Sequence, residues 1–308
     1  MSDRLSAVRV VDPVLSNLAL GYTNAEYVGN KLFPIVNIDK EAGKIPKFNK
    51  ETFMVYQTNR AVGADSNMTK VDALSTIDVV LDENEIGSPI DYREQSDAIF
   101  NLEKRATYKA TEAIALGREV IQAKLATDQG NYSANNKITL AGATQWTGAS
   151  GDPIATIETA KEAIRSAIGQ RPNTLVISAA VFKVLKNHKT LLDRVKYTTT
   201  KVLTTDLLSE VFDIANIYRA DAVYADDAGN FGDIWGSNVV VAYVKQTQQG
   251  IEGDCHDPSF GYTVRRRGMP IVDSYNREGN KVRVVRCTDI SKSLIVDADA
   301  GYLIQGAI

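Results

Sequence analysis

No proline interrupts the chain between Pro89 and Pro153. Within that window Ile99, Leu102, Ala106, Ala110, Ala113, Gly117, Val120 and Lys124 recur at three-and-four spacing, while charged residues occupy the other faces. Such a stripe predicts one long amphipathic helix with little bulk on its inner side. Ser88-Pro89-Ile90-Asp91 offers a capping-box-like start and Gly130 a stop, which places the helix at about 89 to 128. At 1.5 Å per residue it would span roughly 50 Å, more than a compact domain of this size needs. The implied architecture is a strut with separate masses packed along it.

Before the strut the chain is polarised. From Lys31 to Arg60 the charges are Lys31, Lys40, Lys44, Lys47, Lys50 and Arg60 against Asp39, Glu41 and Glu51, a net +3. From Asp65 to Asp97 they are Asp65, Asp72, Asp78, Asp82, Glu83, Glu85, Asp91, Glu94 and Asp97 against Lys70 and Arg93, a net -7. Between the two blocks lies the turn-like run from Ala61 to Asn67, flanked by β-prone pieces at 53–56 and 76–81. A long two-stranded hairpin is the simplest reading. Two strands alone cannot cover an apolar face, so Phe48, Phe53 and Tyr56 need a surface to lie on, either the protein's own body or another subunit. The first thirty residues read as an arm with one small helix, Asp12 as its N-cap, Pro13 at its first position and Gly21 past its end.

After the strut, Asp152-Pro153 caps a second helix with the stripe Ile154, Ile157, Ala160, Ile164 and Ile168, ended by Gly169. A strand at 174–178, helices at 179–187 and about 206–214, and strands near 217–224 and 239–244 make a mixed α/β region. The tail, at 262–272, 281–288 and 294–296, is β-rich and is expected to return to the long helix and form one domain with it.

The 308 residues suffice for one large domain or two ordinary ones, and 44% apolar with 24% charged residues is globular usage. The net charge of -3 gives no general attraction to nucleic acid or anionic lipid. Charges within the first twenty residues break any signal-peptide core, and no apolar run approaches the length of a membrane span. Two cysteines, Cys255 and Cys287, cannot staple a fold this large, which points to a reducing compartment.

Signs of catalysis are sparse. The two histidines, His188 and His256, are far apart, and Cys255-His256-Asp257 is read as a polar loop because neighbours on an extended chain point in opposite directions. Neither a Cys-x-x-Cys nor a His-x-x-x-His pair is present for zinc, and no phosphate loop or dinucleotide fingerprint occurs. Arg265-Arg266-Arg267 is the one basic cluster. It reads either as an anion clamp or, more simply, as strand alternation with acids of the same chain or of neighbouring subunits as partners.

An ordered set of segments carries a resemblance. Arg171-Pro172-Asn173-Thr174-Leu175-Val176-Ile177-Ser178 is followed by Val181-Phe182 with Leu185 and His188, then Leu191-Leu192 with Arg194-Val195-Lys196-Tyr197, then a Thr-initiated helix at 205–212. Ala220-Asp221-Ala222-Val223-Tyr224 and the run from Ile234 to Val244 close the series. This order resembles that of tailed double-stranded-DNA bacteriophage major capsid proteins, over about residues 27 to 288. The resemblance implies an α+β, Hong Kong 97-type capsid fold. Its parts would be an N-terminal arm (1–42), an extended β-hairpin loop (43–86), a peripheral β-sheet domain with the spine helix (87–152 and 251–308) and a mixed α/β axial domain (153–250).

It further implies a structural, non-catalytic shell subunit without cofactor or metal. Copies would form hexamers and pentamers of an icosahedral shell around packaged DNA, with weak, non-specific DNA contact and no membrane. Some relatives carry a long, cleaved scaffolding segment at the N-terminus; none is seen here, so a separate scaffolding protein is expected, together with a portal protein. Use of a decoration protein is left open. The subunit would reside in the virion after assembly in the host cytoplasm. Encapsulin nanocompartments share the fold and are the rival reading, with a small-molecule α/β enzyme behind them. The candidates for intersubunit contact are Lys44, Lys47, Phe48, Lys50, Phe53, Tyr56, Asp82, Glu83, Glu85, Arg265, Arg266 and Arg267.

Overall fold

The structure, a computed structural model, describes residues 24–47, 55–56, 58–68, 76–99, 101–195, 204–245, 258–277, 279 and 281–308. The arm helix expected near Asp12, the loop Cys255-His256-Asp257, and Phe48, Lys50 and Phe53 lie outside the described residues.

A one-turn helix α1 (Gly29–Leu32) leads into β1 (Ile35–Ile38), and β2 (Ala42–Pro46) pairs antiparallel with β3 (Thr76–Val80). Next come β4 (Asp82–Asp91), the short α2 (Tyr92–Asp97) and the long α3 (Leu102–Thr127). Beyond β5 (Lys137–Thr139) the chain forms α4 (Pro153–Ile168), β6 (Thr174–Ser178), α5 (Ala179–Lys186), α6 (Lys189–Val195) and α7 (Thr205–Phe212). The remainder is β7 (Asn216–Ala220), β8 (Val223–Ala225), β9 (Phe231–Asp233), β10 (Val239–Ala242), β11 (Gly261–Arg266), β12 (Ile271–Asn276), β13 (Val282–Ile295) and β14 (Gly301–Gln305).

The strut is real but shorter than its sequence pattern predicts. Asn101 caps α3 by accepting from Lys104 N at 3.0 Å, and the helix runs 26 residues, about 39 Å. Residues 82–91 are not its first turns. They pair in continuous antiparallel register with β13, from Asp91↔Val282 to Asp82↔Ser291. Ten residues of ladder outweigh a local capping signal, and Pro89 sits on a strand paired on one side only, where its missing N–H leaves no gap. The cap belongs to Asp91, which accepts from Arg93 N at 2.9 Å and starts only the short α2.

β13 is the axis of the first sheet. β4 lies along one side of it, β11 and β12 follow end to end along the other, and β1 runs parallel to β11 on the outside. The N-terminal half of α3 rests on this sheet through Leu102 and Ala106 against Ile90 and Val285.

The second sheet has the order β5-β14-β10-β6-β7. Every residue of β6 and β10 is buried, as expected for strands covered on both faces. Ile154, Ile157 and Ile164 of α4 cover one face with Leu175, Ile177, Val239 and Ile304 beneath them. Ala123 and Ala126 of α3, with Leu32, Phe33, Trp235 and Phe260, close the other over Val176, Val240 and Leu303. Gly169 ends α4 in the left-handed conformation, φ 71°, where a side chain would be strained.

β14 departs from the expectation that the whole tail returns to the peripheral sheet. It lies between β5 and β10 of the second sheet. Gly301 to Ile304 are all buried there, with Tyr302 and Ile304 in the cluster beneath α4 and Leu303 in the cluster closed by the end of α3.

Candidate assembly surfaces

The second half of α3 carries three polar anchors, Arg118, Glu119 and Gln122. Glu119, 1% exposed, accepts from the backbone N–H of Val28 (3.1 Å) and Gly29 (2.8 Å) and from Trp235 Nε1 (2.8 Å). It ties the root of the arm and the loop before β10 to the spine. Burial pushes its carboxyl above the ordinary range against the opposing pull of those three donors. Gln122 Nε2 donates to Asn30 Oδ1 (3.0 Å) and Thr263 Oγ1 (2.9 Å).

Arg118 reaches Asp289 Oδ2 on β13 at 2.9 Å, and Arg265 Nη2 meets the same oxygen at 3.2 Å. Arg265 Nε lies 3.0 Å from Asp289 Oδ1 without hydrogen-bond alignment, so that contact is chiefly Coulombic. Burial, then the nearby Arg265, pull Arg118 below its usual value. The anchors stand outside the apolar stripe that the sequence spacing picks out, so the sequence reading missed them. Their signal is the 118/122 spacing that puts Arg118 and Gln122 one turn apart, with Glu119 beside them.

The Arg265-Arg266-Arg267 cluster is paired within the chain: Arg265 with buried Asp289, Arg266 with Glu41 (2.6 Å) and Arg267 with Asp39 (3.2 Å). Acids of the same chain thus neutralise it. The other candidates are held to different degrees. Lys44 faces Asp78 across the hairpin at 3.4 Å, Asp82 meets Lys292 at 3.3 Å, and Glu85 meets Arg286 at 3.2 Å and Thr288 at 3.1 Å. Lys47 and Glu83 are exposed and have no ion pair among the described residues.

The hairpin is half anchored. Leu81 N donates to Glu41 O at 2.8 Å, and Ile45, Val79 and Leu81 pack into a cluster with Val36, Tyr262, Val264 and Ile290. Its base therefore lies on the protein's own sheet. Its far end turns at Val62-Gly63, with Ala64 N bonded to Ala61 O at 3.1 Å and Asn67 Nδ2 to Asn59 O at 3.2 Å. There Val55 (99% exposed), Tyr56, Val62 (106%) and Met68 (89%) are left in the open.

A groove of about 630 Å³ runs between α3 and β4, lined by Ala113, Ile114, Gly117 and Ile121 on the helix and by Asp82, Glu83, Glu85 and Ile86 on the strand. It gathers the acidic candidates at one place. Catalytic features are absent from the described residues. His188 Nδ1 contacts the Thr190 hydroxyl at 2.7 Å; among the described residues no group of three or more His, Cys, Asp or Glu could hold a metal, and no helix is long and apolar enough to cross a membrane.

The family described as phage major capsid protein E matches residues 23–288. The chain belongs to that family. It is 49% identical over 303 residues, 98% of both chains, to the major capsid protein of Burkholderia phage BcepMu. A phage-related protein from Bordetella bronchiseptica RB50 superposes with a TM-score of 0.75 at 32% identity, covering 97% of this chain and 98% of that one. The mature capsid of bacteriophage PhiM1 gives 0.57 at 14% identity, over 92% and 88%. The encapsulin of Synechococcus elongatus PCC 7942 gives 0.50 at 9%, over 96% of each, a likeness of fold alone. The protein is a structural capsid subunit of a phage with an α+β, Hong Kong 97-type fold, a virion component whose copies form the shell, and not an enzyme.

Proposed function

We propose that this chain builds hexamers and pentamers that close an icosahedral shell around packaged double-stranded DNA, each hairpin reaching onto an adjacent subunit. The observation that carries this reading is the contrast within the hairpin, a base buried on the protein's own sheet and a tip whose Val55, Val62 and Met68 are almost fully exposed. Monomers seldom leave such a surface unused. A shell needs many contacts, each weak enough to be corrected, and a heterologous reach from copy to copy supplies them.

The basic flank of the hairpin (Lys44, Lys47, Lys50) and the acidic segment Asp82, Glu83 and Glu85 meet oppositely charged surfaces of neighbours. Among the described residues of this set, Lys47 and Glu83 have no ion pair to exchange. Arg266 and Arg267 remain part-exposed at the sheet margin for the same use, whereas Arg265 supports the contact from inside. Phe48, Phe53 and Tyr56 are the apolar members of the same contact.

Reversing Lys44, Lys47 and Lys50 to Glu should block or misdirect assembly seen by negative-stain microscopy, while circular dichroism and thermal melting of the subunit stay as in the wild type. Unimpaired shells from the triple variant would refute the reading. The same function entails a separate scaffolding protein, a portal protein, a decoration protein where the shell carries one, and assembly in the host cytoplasm. With a net charge of -3, contact with the packaged DNA is weak, salt-sensitive and blind to sequence, the behaviour that filter binding by soluble subunits should report.

A further inference from the structure

A second, smaller ribbon follows β7, the edge strand of the axial sheet. β8 and β9 pair only with each other, apart from both five-stranded sheets. Two strands alone are marginal in water unless something covers them. The turn is nonetheless fixed: Asp226 accepts from Asn230 N at 2.8 Å and from Asn230 Nδ2 at 3.2 Å, and Gly229 N donates to Asp226 O at 3.0 Å. The ribbon leaves Phe231 (79% exposed) and Tyr224 (44%) in the open. From Asp221 to Asp233 it carries four carboxylates and no cation. Asp221 is paired with Arg219, and Asp227 and Asp233 are exposed with no ion pair among the described residues.

The complementary surface is the corner between α5 and α6. Lys183, Lys186, Lys189 and Arg194 are exposed there against Asp193 alone, and none of these cations has an ion pair among the described residues. Lys183 and Lys186 suit the last turn of α5, where a helix favours positive charge. Lys189 has no such local reason: it opens α6, the helix end where a cation is unfavourable, and no acid stands in that first turn. Leu192 (39% exposed) adds an apolar spot one turn beyond it. We infer that the β8–β9 ribbon of one copy of this chain seats on the α5–α6 corner of the next, with Asp227 and Asp233 meeting the lysines and Phe231 meeting Leu192. The two patches occupy different parts of one chain, and neither is covered by the described residues of its own subunit, so the contact runs head to tail and closes copies into a ring. Complementary charge of this kind sets register and partner choice more than raw affinity. The inference rests on the reading that copies form rings and adds which surfaces join them.

The test is a charge exchange with a cross-link beside it. Every substituted side chain is exposed, so the melting temperature of the soluble subunit should stay as in the wild type. Lys183→Glu, Lys186→Glu and Lys189→Glu together should abolish closed shells in negative stain, as should Asp227→Lys with Asp233→Lys. All five substitutions in one chain should restore them. Independently, the full chain carrying Leu192→Cys and Phe231→Cys, assembled and then oxidised, should give a ladder of covalent oligomers on a non-reducing gel, whereas a mixture of the two single variants should stop at dimers. Shells unimpaired by either reversal would overturn the contact while leaving the shell function standing. A block by both reversals that their combination does not relieve would assign each patch to another partner and overturn it equally, as would double-cysteine shells without a ladder. Failure of the wild-type chain to assemble under any supplied condition would instead remove the reading beneath it.

Discussion

The two five-stranded sheets of this subunit treat their faces in opposite ways. In the axial sheet β6 and β10 are buried throughout, with α4 on one side and the end of α3 with the arm root on the other. In the peripheral sheet all six residues of β12 are exposed, and β4 is open along most of its length. Its contact with the spine is a small apolar cluster, Leu102, Ala106, Ile90 and Val285, reinforced by the Arg118–Asp289–Arg265 group. The axial sheet is a finished core. The peripheral sheet is finished along β11, buried beside β1 and the hairpin base, and open along β12 and most of β4, so covered and uncovered surface lie within one sheet.

Asp289→Ala should break that comparison most strongly. It leaves the buried Arg265 and the part-buried Arg118 facing each other without the carboxylate that bridges them, which costs about 3 kcal/mol. Chemical denaturation should show the loss. Hydrogen exchange should show where it falls, with β4 and β13 amides losing protection and β6 and β10 amides keeping it. Equal loss across both sheets would mean that they unfold as one unit and that the division is only geometric.

The legibility of the sequence follows the same division. Asp152-Pro153 to Gly169 gives α4 at its observed bounds, because cap, stripe and stop all act locally. The runs at 174–178 and 239–242 read as strands since consecutive apolar residues suit two covered faces. Ser88-Pro89 misleads because its ladder partner lies about two hundred residues away, and local capping chemistry carries no information about β13. β14 was assigned to the wrong sheet for the same reason. Among the candidate contact residues the sequence shows charge asymmetry but not its internal neutralisation. Lys44–Asp78, Glu85–Arg286 and Arg266–Glu41 are pairings that only the register of distant strands creates. The anchors Arg118, Glu119 and Gln122 are hidden because a polar residue on a helix ordinarily reads as a solvated face.

Glu119→Gln sharpens the comparison at the joint between the two sheets, with an intermediate effect. The amide cannot accept from all three donors, and its own NH2 faces one of them, so at neutral pH the change should cost about 1–3 kcal/mol. Since burial raises the folded-state pKa of Glu119, the folded protein binds that proton more tightly than the unfolded chain does. The resulting contribution to stability is fully present below the unfolded value of 4.5 and fades as pH rises through the raised one. The wild type should therefore gain on the Gln variant as pH falls from neutrality toward that value, read from paired thermal melts. A constant gap across that range would mean that Glu119 titrates as it does in the unfolded chain.

Val62→Ser gives the smallest change in the subunit and separates the two kinds of surface most cleanly. Val62 touches nothing, so its replacement should leave unfolding free energy within about 0.5 kcal/mol of the wild type. A buried axial valine such as Val241, replaced in the same way, exchanges a packed side chain for an unpaired hydroxyl in the core. If the hairpin tip is completed by a neighbour, Val62→Ser should nonetheless lower the yield of closed shells at fixed subunit concentration, measured by sedimentation. A tip substitution silent in both stability and assembly would show that the exposed end of the hairpin is spare chain, and that the open faces of the peripheral sheet alone hold the copies together.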